Sequence, residues 1–247
     1  MKALIVGYGK MGKAIETVLI ARGHRIAGRF GRGEICLEGE EGKSDLWSAS
    51  MCDIALDFTA PDSAAAVVSL LLSKKIPVLS GTTGWDVDSV EHLAREQEIP
   101  FLHSSNFSIG VAALKRAVAA AAAALAAFPE FEPGIVERHH SKKKDSPSGT
   151  AKLLAEVLEE ASGRVGVPIA SLRQGGAPGE HLVFFEGESE TLELVHRARS
   201  RAIFALGAVR AAEWMLESGR TGPLTFDDFF TAAAKTGASH GNGGRSS

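Results

Sequence analysis

Lys2-Ala3-Leu4-Ile5-Val6-Gly7-Tyr8-Gly9-Lys10-Met11-Gly12 opens the chain with a short apolar run and a glycine-rich turn. Ile15, Val18 and Leu19 follow at helical spacing, so the stretch reads as strand, turn, helix. That is the context a dinucleotide fingerprint needs. Gly7 permits the tight turn, Gly9 lets a pyrophosphate approach the backbone, and Gly12 lets helix and strand pack closely. Lys10 and Met11 complete the turn and join the candidate cofactor residues. The plain alternative is a glycine-rich turn in some other α/β protein.

Moving outward, Arg25-Ile26-Ala27-Gly28-Arg29-Phe30 reads as the second strand. An acidic residue at the end of this strand binds the ribose 2′-hydroxyl of NAD, whereas an arginine nearby accommodates a 2′-phosphate. Here the end reads Arg29-Phe30-Gly31-Arg32 and the first acid is Glu34. NADPH is therefore expected to be accepted, with Arg32 as a candidate contact. Surface solvation of both arginines is the competing reading.

The α/β alternation continues. Asp53 to Phe58 reads as a strand, Pro61 to about Ser73 as a helix, and Pro77 to Leu79 as a strand. Ser80-Gly81-Thr82-Thr83-Gly84 then falls at a strand's carboxyl end, the edge at which open parallel sheets bind ligands. A helix from about Asp86 to Gln97 precedes the short strand Phe101-Leu102-His103, and the turn Ser104-Ser105-Asn106-Phe107-Ser108 occupies the same edge. Gly81, Thr82, Thr83, Ser104, Ser105, Asn106 and Phe107 are read as lining the nicotinamide half of a cofactor; ordinary loops are the alternative. Beyond an alanine-rich helix the pattern becomes strand-rich, with runs at His181–Glu186 and Thr191–His196. Ile203 to Leu216 returns to helix, Phe226 to Phe230 reads as a short closing helix, and 237–247 reads as a disordered tail.

Composition bounds the rest. The chain has 247 residues, 45% hydrophobic and 23% charged, with a net charge of −3 at pH 7. This gives no reason to expect nucleic acid or an anionic membrane as partner. Cys36 and Cys52 form neither a metal pattern nor a disulfide framework, which fits reduced thiols in a cytoplasm. The apolar run Ala117–Phe128 is too short to span a bilayer, and with Met1-Lys2 running straight into a strand no signal peptide is expected.

A second stretch carries chemistry: Glu137-Arg138-His139-His140-Ser141-Lys142-Lys143-Lys144-Asp145-Ser146-Pro147-Ser148-Gly149-Thr150. A strand is expected to end at the histidines. Leu153, Leu154, Val157, Leu158 and Ala161 place a helix after them, starting near Ser146 or Ser148. Ser146 as N-cap with Pro147 at the first helical position would suit that start. The first-turn amides would then hold a carboxylate or phosphate. Without context, a histidine pair is more often structural, and three lysines in a row are usually a solvated run. No cysteine or carboxylate at ligand spacing joins the histidine pair, so no metal is expected.

Together these residues closely resemble the dihydrodipicolinate reductase family over nearly the whole chain. The stretch from Glu137 fits the pattern Glu-x-His-His-x-x-Lys-x-Asp-x-Pro-Ser-Gly-Thr-Ala without a gap. The turns at Gly7–Gly12, Gly81–Gly84 and Asn106–Ser108 match as well. So do Gly175-Gly176-x-Pro178-Gly179-Glu180-His181 and His196-Arg197-Ala198-Arg199-Ser200-Arg201. The resemblance implies an α/β fold: a Rossmann-type dinucleotide-binding domain (1–107 plus 201–236) with an inserted α+β substrate and tetramerisation domain (108–200). It implies a cytoplasmic homotetramer that uses NADH or NADPH to reduce a small dicarboxylate of lysine and diaminopimelate biosynthesis. By the same resemblance His139 is the acid/base residue and Lys143 the proton donor, its flanking lysines favouring proton release. His140, Gly149 and Thr150 bind substrate, and Arg201 reaches the cofactor. Gly31 stands where many members carry an acid, so the resemblance leaves cofactor preference open. A related dehydrogenase acting on another small dicarboxylate such as aspartate, and a silent nucleotide-binding regulator, are the competing readings.

Overall fold

The computed structural model describes residues 1–31 and 51–240. Arg32, Glu34 and Cys36, and with them the expected 2′-phosphate contact, lie outside the described residues. The chain divides into two compact units, residues 1–107 with 204–247, and residues 108–203. Arg201 thus belongs to the second unit.

The first unit is a six-stranded parallel sheet. Its strands are β1 (Lys2–Val6), β2 (Arg25–Phe30), β3 (Ile54–Asp57), β4 (Val78–Ser80), β5 (Phe101–His103) and β10 (Pro223–Thr225), in the order β10-β5-β4-β3-β1-β2. The order reverses at β1, with β2 on one side and β3 on the other. The crevice at such a reversal, beyond the strands' carboxyl ends, is where doubly wound sheets bind ligands. β1, β3, β4 and β5 are largely apolar and buried because helices cover them, whereas β2 carries Arg25 and Arg29. Leu4, Val6 and Ala55 from the sheet pack with Val67, Val68, Leu71 and Leu72 of helix α2 (Pro61–Ser73). Helix α1 (Lys10–Ala21) buries Gly12, Ile15 and Leu19, and α3 (Asp88–Glu96) buries Val90 and Ala94. Helix α6 (Ala202–Glu217) approaches so closely at Gly207 that a Cβ there would sit 1.7 Å from the Phe107 carbonyl oxygen.

The second unit is a four-stranded sheet ordered β7-β6-β8-β9: β7 (Ile169–Arg173), β6 (Glu132–His139), β8 (Glu180–Glu186) and β9 (Thr191–Arg197). β7 runs parallel to β6 and the others are antiparallel. Helices α4 (Ile109–Leu125) and α5 (Gly149–Ser162) cover one face, where Leu114, Val118, Ile135, Leu154, Leu158, Val183 and Phe185 form the core. The other face leaves Val136, Leu172 and Val195 38%, 47% and 39% exposed.

Strand β7 was not foreseen, because its burial pattern is mostly exposed and it carries no alternating signal. The last helix, α7 (Phe226–His240), is far longer than the short closing element expected. The run Ala232-Ala233-Ala234 has high helix propensity, and the Thr236 hydroxyl donates to the Ala232 carbonyl. Residues 237–240 are therefore helical, not tail; 241–247 lie outside the described residues.

Candidate active site

In the first unit the glycine turn is built by backbone sterics. Gly7 has φ +92, and a Cβ on it would lie 2.2 Å from the Phe58 carbonyl oxygen. A Cβ on Gly12 would lie 2.6 Å from the Gly7 oxygen, whereas one on Gly9 would meet nothing within 4 Å. The turn is thus tight beneath and open above, which fits a pyrophosphate laid against the start of α1. A cavity of about 240 Å³ adjoins it, lined by Met11, Phe58, Thr59, Pro61, Gly81, Thr82 and Thr83. Four of the residues singled out from the sequence share this one pocket.

Asp57, Phe58 and Thr59 carry no motif and were missed. The carboxylate of Asp57 is fully buried and accepts from the hydroxyls of Ser80 (2.7 Å), Thr82 (3.0 Å) and Thr59 (2.7 Å). It ties the ends of β3 and β4 into one rim. Burial raises its pKa against those hydroxyl bonds, which act to lower it. The ring of Phe58 lies where a side chain on Gly81 would fall, at 2.1 Å.

Further along the edge, the Ser104 hydroxyl donates to the Asn106 carbonyl at 2.8 Å and accepts from the Asn106 amide at 3.2 Å. Ser105 is exposed. The Phe107 ring is buried between Phe58 (6.0 Å) and Phe226 (5.4 Å), so its side chain packs the core. His103 bonds the Thr82 carbonyl through Nε2 at 2.9 Å and meets Trp85 edge-on. Arg29 forms a bond to Glu16 through Nε at 2.7 Å, and Tyr8 also hydrogen-bonds Glu16. The Arg29 guanidinium is thus paired with a carboxylate.

In the second unit, alternation along β6 turns Ile135, Glu137 and His139 to the covered face. Glu137 is fully buried. Its carboxylate accepts from Arg173 (Nη1 2.9 Å, Nη2 2.6 Å), from the Ser148 amide at 3.2 Å and from His139 Nδ1. Burial alone would raise its pKa, but bonds from Arg173, Ser171 and His139 outweigh that and hold it at about 2. His139 is lowered from its ordinary value, first by burial and then by the charges of Lys143 and Arg173, with Glu137 opposing. His181 stands edge-on to His139 at 5.2 Å. Its Nε2 lies 3.3 Å from the Ser148 hydroxyl, its Nδ1 has no hydrogen-bond partner, and burial lowers its pKa to about 4. Across the β8–β9 pair His181 faces His196, whose Nε2 is 3.5 Å from the Ser108 hydroxyl.

The helix start differs from the sequence reading. Ser148, not Ser146, is the N-cap: its hydroxyl accepts from the Ala151 amide at 3.2 Å, and α5 begins at Gly149. Pro147 precedes the cap, and Ser148 must be extended there for its amide to reach Glu137. A side chain on Gly149 would meet nothing within 4 Å, so the helix start is open at that point. Of the three lysines only Lys143 is half-buried; Lys142 and Lys144 are exposed. The partner of Lys143 is the Asp145 carboxylate at 2.8 Å, not its flanking lysines. The backbone of His140 is fixed by bonds from its amide to the Ala177 carbonyl and from the Lys143 amide to its own carbonyl. Arg201 is exposed. Among the described residues, no group of three or more His, Cys, Asp or Glu side chains is placed to hold a metal ion, and no helix is long and apolar enough to cross a membrane.

Residues 1–107 match the family described as dihydrodipicolinate reductase, N-terminus, and residues 110–230 the one described as dihydrodipicolinate reductase, C-terminus. The chain is 34% identical over 241 residues to 4-hydroxy-tetrahydrodipicolinate reductase of Christiangramia forsetii, covering 92% of this chain and 97% of that one. It is 34% identical over 249 residues to the reductase of the same name from Archaeoglobus fulgidus, covering 90% and 96%. The chain belongs to the dihydrodipicolinate reductase family. A dipicolinate-bound dihydrodipicolinate reductase from Paenisporosarcina sp. TG-14 shares its fold, with a TM-score of 0.71, 22% identity and coverage of 91% and 97%. Family membership makes the chain an NAD(P)H-dependent oxidoreductase, a 4-hydroxy-tetrahydrodipicolinate reductase of lysine and diaminopimelate biosynthesis.

Proposed function

We propose that the chemistry of this reductase is divided between its two units: the first binds the nicotinamide dinucleotide and the second anchors and protonates the substrate. Gly7, Gly9, Lys10, Met11 and Gly12 hold the pyrophosphate, and Gly81, Thr82, Thr83, Ser104, Ser105 and Asn106 line the nicotinamide half. The bound cofactor supplies the hydride. In the second unit, the start of α5 at Gly149 and Thr150 takes a carboxylate of a small dicarboxylate, as dipicolinate-like chemistry requires. His140 contacts substrate, His139 moves a proton at Nε2, and the Lys143 ammonium delivers the proton that completes reduction. Arg201 contributes charge toward the cofactor.

One observation carries this reading. The buried His139 and the half-buried Lys143 interact electrostatically in the same segment as an open helix start. A coupled assay with dihydrodipicolinate synthase, pyruvate and aspartate semialdehyde, following NADPH absorbance, tests it. Loss of absorbance only when all components are present supports it; no loss refutes it. Oxidation of aspartate by the same preparation would favour the aspartate dehydrogenase reading instead.

The working form is a homotetramer of the cytoplasm. The uncovered sheet face bearing Val136, Leu172 and Val195 supports this, since contiguous exposed apolar side chains mark contact surfaces. Light scattering on a Val195→Asp variant should show a smaller assembly than wild type. NADPH is accepted at least as well as NADH, which a comparison of kcat/KM decides; a strong NADH preference overturns it.

A further inference from the structure

Among the residues to which no role in the reaction has been given, Glu137 carries a buried carboxylate bonded on both oxygens. Glu137 lies two residues before His139 on β6, so both side chains leave the strand on the same face. Its two oxygens accept from four nitrogens on two strands and the cap of a helix: His139 on β6, Arg173 on β7 through two nitrogens, and the Ser148 amide at the start of α5. Arg173 also donates to the Asp145 carbonyl at 2.6 Å, which fixes the guanidinium to the segment that carries Lys143. Arg173 sits 36 residues from Glu137 in sequence, so no local spacing announces the pair.

The donors decide the state of the ring. An ionised carboxylate has only acceptors, and Arg173 and the Ser148 amide have only donors. His139 Nδ1 must therefore carry its hydrogen toward Glu137, which leaves Nε2 as the atom able to accept a proton from outside. Gly179 lies beside that nitrogen: a Cβ on it would stand 3.0 Å from His139 Nε2. The other charged and titratable groups facing the ring are Arg173 from β7, His181 from β8 and Lys143 from the following loop. None of these is a carboxylate, and α5 brings only Ser148.

We propose that Glu137 is the positioning residue of His139, fixing its Nδ1–H tautomer and aiming Nε2, with Arg173 as the cation that holds the carboxylate in register. This rests on the reading of His139 as the acid/base residue. The pair is more than a tie between strands, because an ion pair serving only packing would not need its second oxygen directed at the ring.

Glu137→Gln tests it sharply. A glutamine offers an acceptor oxygen and a donor amide, while Arg173 and the Ser148 amide can only donate. His139 and the Ser171 hydroxyl are the partners able to accept. An amide nitrogen at the position that faces the ring meets His139 Nδ1 and favours the Nε2–H tautomer. We expect kcat to fall about 10²-fold, the typical worth of a positioned acid/base, with substrate KM and the NADPH dissociation constant within about threefold of wild type. Nitrogen-15 spectra of labelled histidines, with His139 assigned from a His139→Gln variant, should show Nδ1–H in wild type and Nε2–H in Glu137→Gln. The wild-type tautomer is read without a Glu137 variant having to fold and without substrate turning over. An Nε2–H ring in wild type, or an unchanged kcat in folded Glu137→Gln, overturns the proposal. An Nδ1–H ring in a protein that consumes no NADPH in the coupled assay would refute the acid/base reading of His139 and leave the Glu137 geometry standing.

Discussion

The two units are built in opposite ways. The proposed cofactor turn of the first depends on absent side chains: a Cβ on Gly7 or Gly12 would collide with backbone, and one on Gly9 would fill open space. The proposed site of the second is made of side chains that constrain one another, Arg173 on Glu137, Glu137 on His139, and Asp145 on Lys143. A backbone site tolerates almost any substitution that is not steric. A site of coupled charges fails when one partner is removed, since the group left behind is buried and unpaired.

This contrast can be broken at either end, and the largest effect should come from Gly7→Ala. It combines a positive φ with a contact 2.2 Å from a carbonyl oxygen. We expect a loss of stability on the order of 3 kcal/mol in urea denaturation, together with loss of NADPH binding. Retention of wild-type affinity would show that the turn does not set the cofactor site. Next come His139→Ala and Lys143→Ala, each lowering kcat by about 10²-fold or more; near-normal turnover in either removes the role assigned to it. Thr150→Val is milder: KM rises several-fold with a smaller change in kcat, and an unchanged KM counts against the carboxylate subsite.

The smallest effect is on acid stability. Glu137 is depressed from its ordinary 4.5 to about 2. Its contribution is therefore complete above about pH 4.5 and is lost as pH falls toward 2. Glu137→Gln should flatten that part of the stability curve, measured by urea midpoints at about pH 5 and about pH 3. An unchanged slope would show that the carboxylate is not held as the bonding implies.

The same contrast explains what could be read from the sequence. The strand–turn–helix at Gly7 was legible because every requirement is local: a run of apolar residues, three glycines and helical spacing. The parallel sheet followed from repeated alternation of strands and helices. His139 and Lys143 stood out only as residue types at a strand end, and their roles came from resemblance. What was not legible depends on contacts distant in sequence. Arg173 lies on β7, a strand with little apolar signal, and Asp57 looks like any strand-end acid until Ser80 and Thr82 are folded onto it. The cap was misplaced at Ser146 because Pro147 looks like a first helical residue, whereas the buried bond from the Ser148 amide to Glu137 moves the start downstream. The length of α7 was underestimated because its later turns have few apolar residues to mark a face.

If one unit binds the cofactor and the other performs the proton chemistry, binding and turnover should separate. The most direct measurement is fluorescence titration of NADPH alongside kcat for His139→Ala. We expect an NADPH dissociation constant within about threefold of wild type and a kcat reduced about 10²-fold or more. Loss of NADPH binding together with turnover, or turnover retained at the wild-type rate, would contradict it.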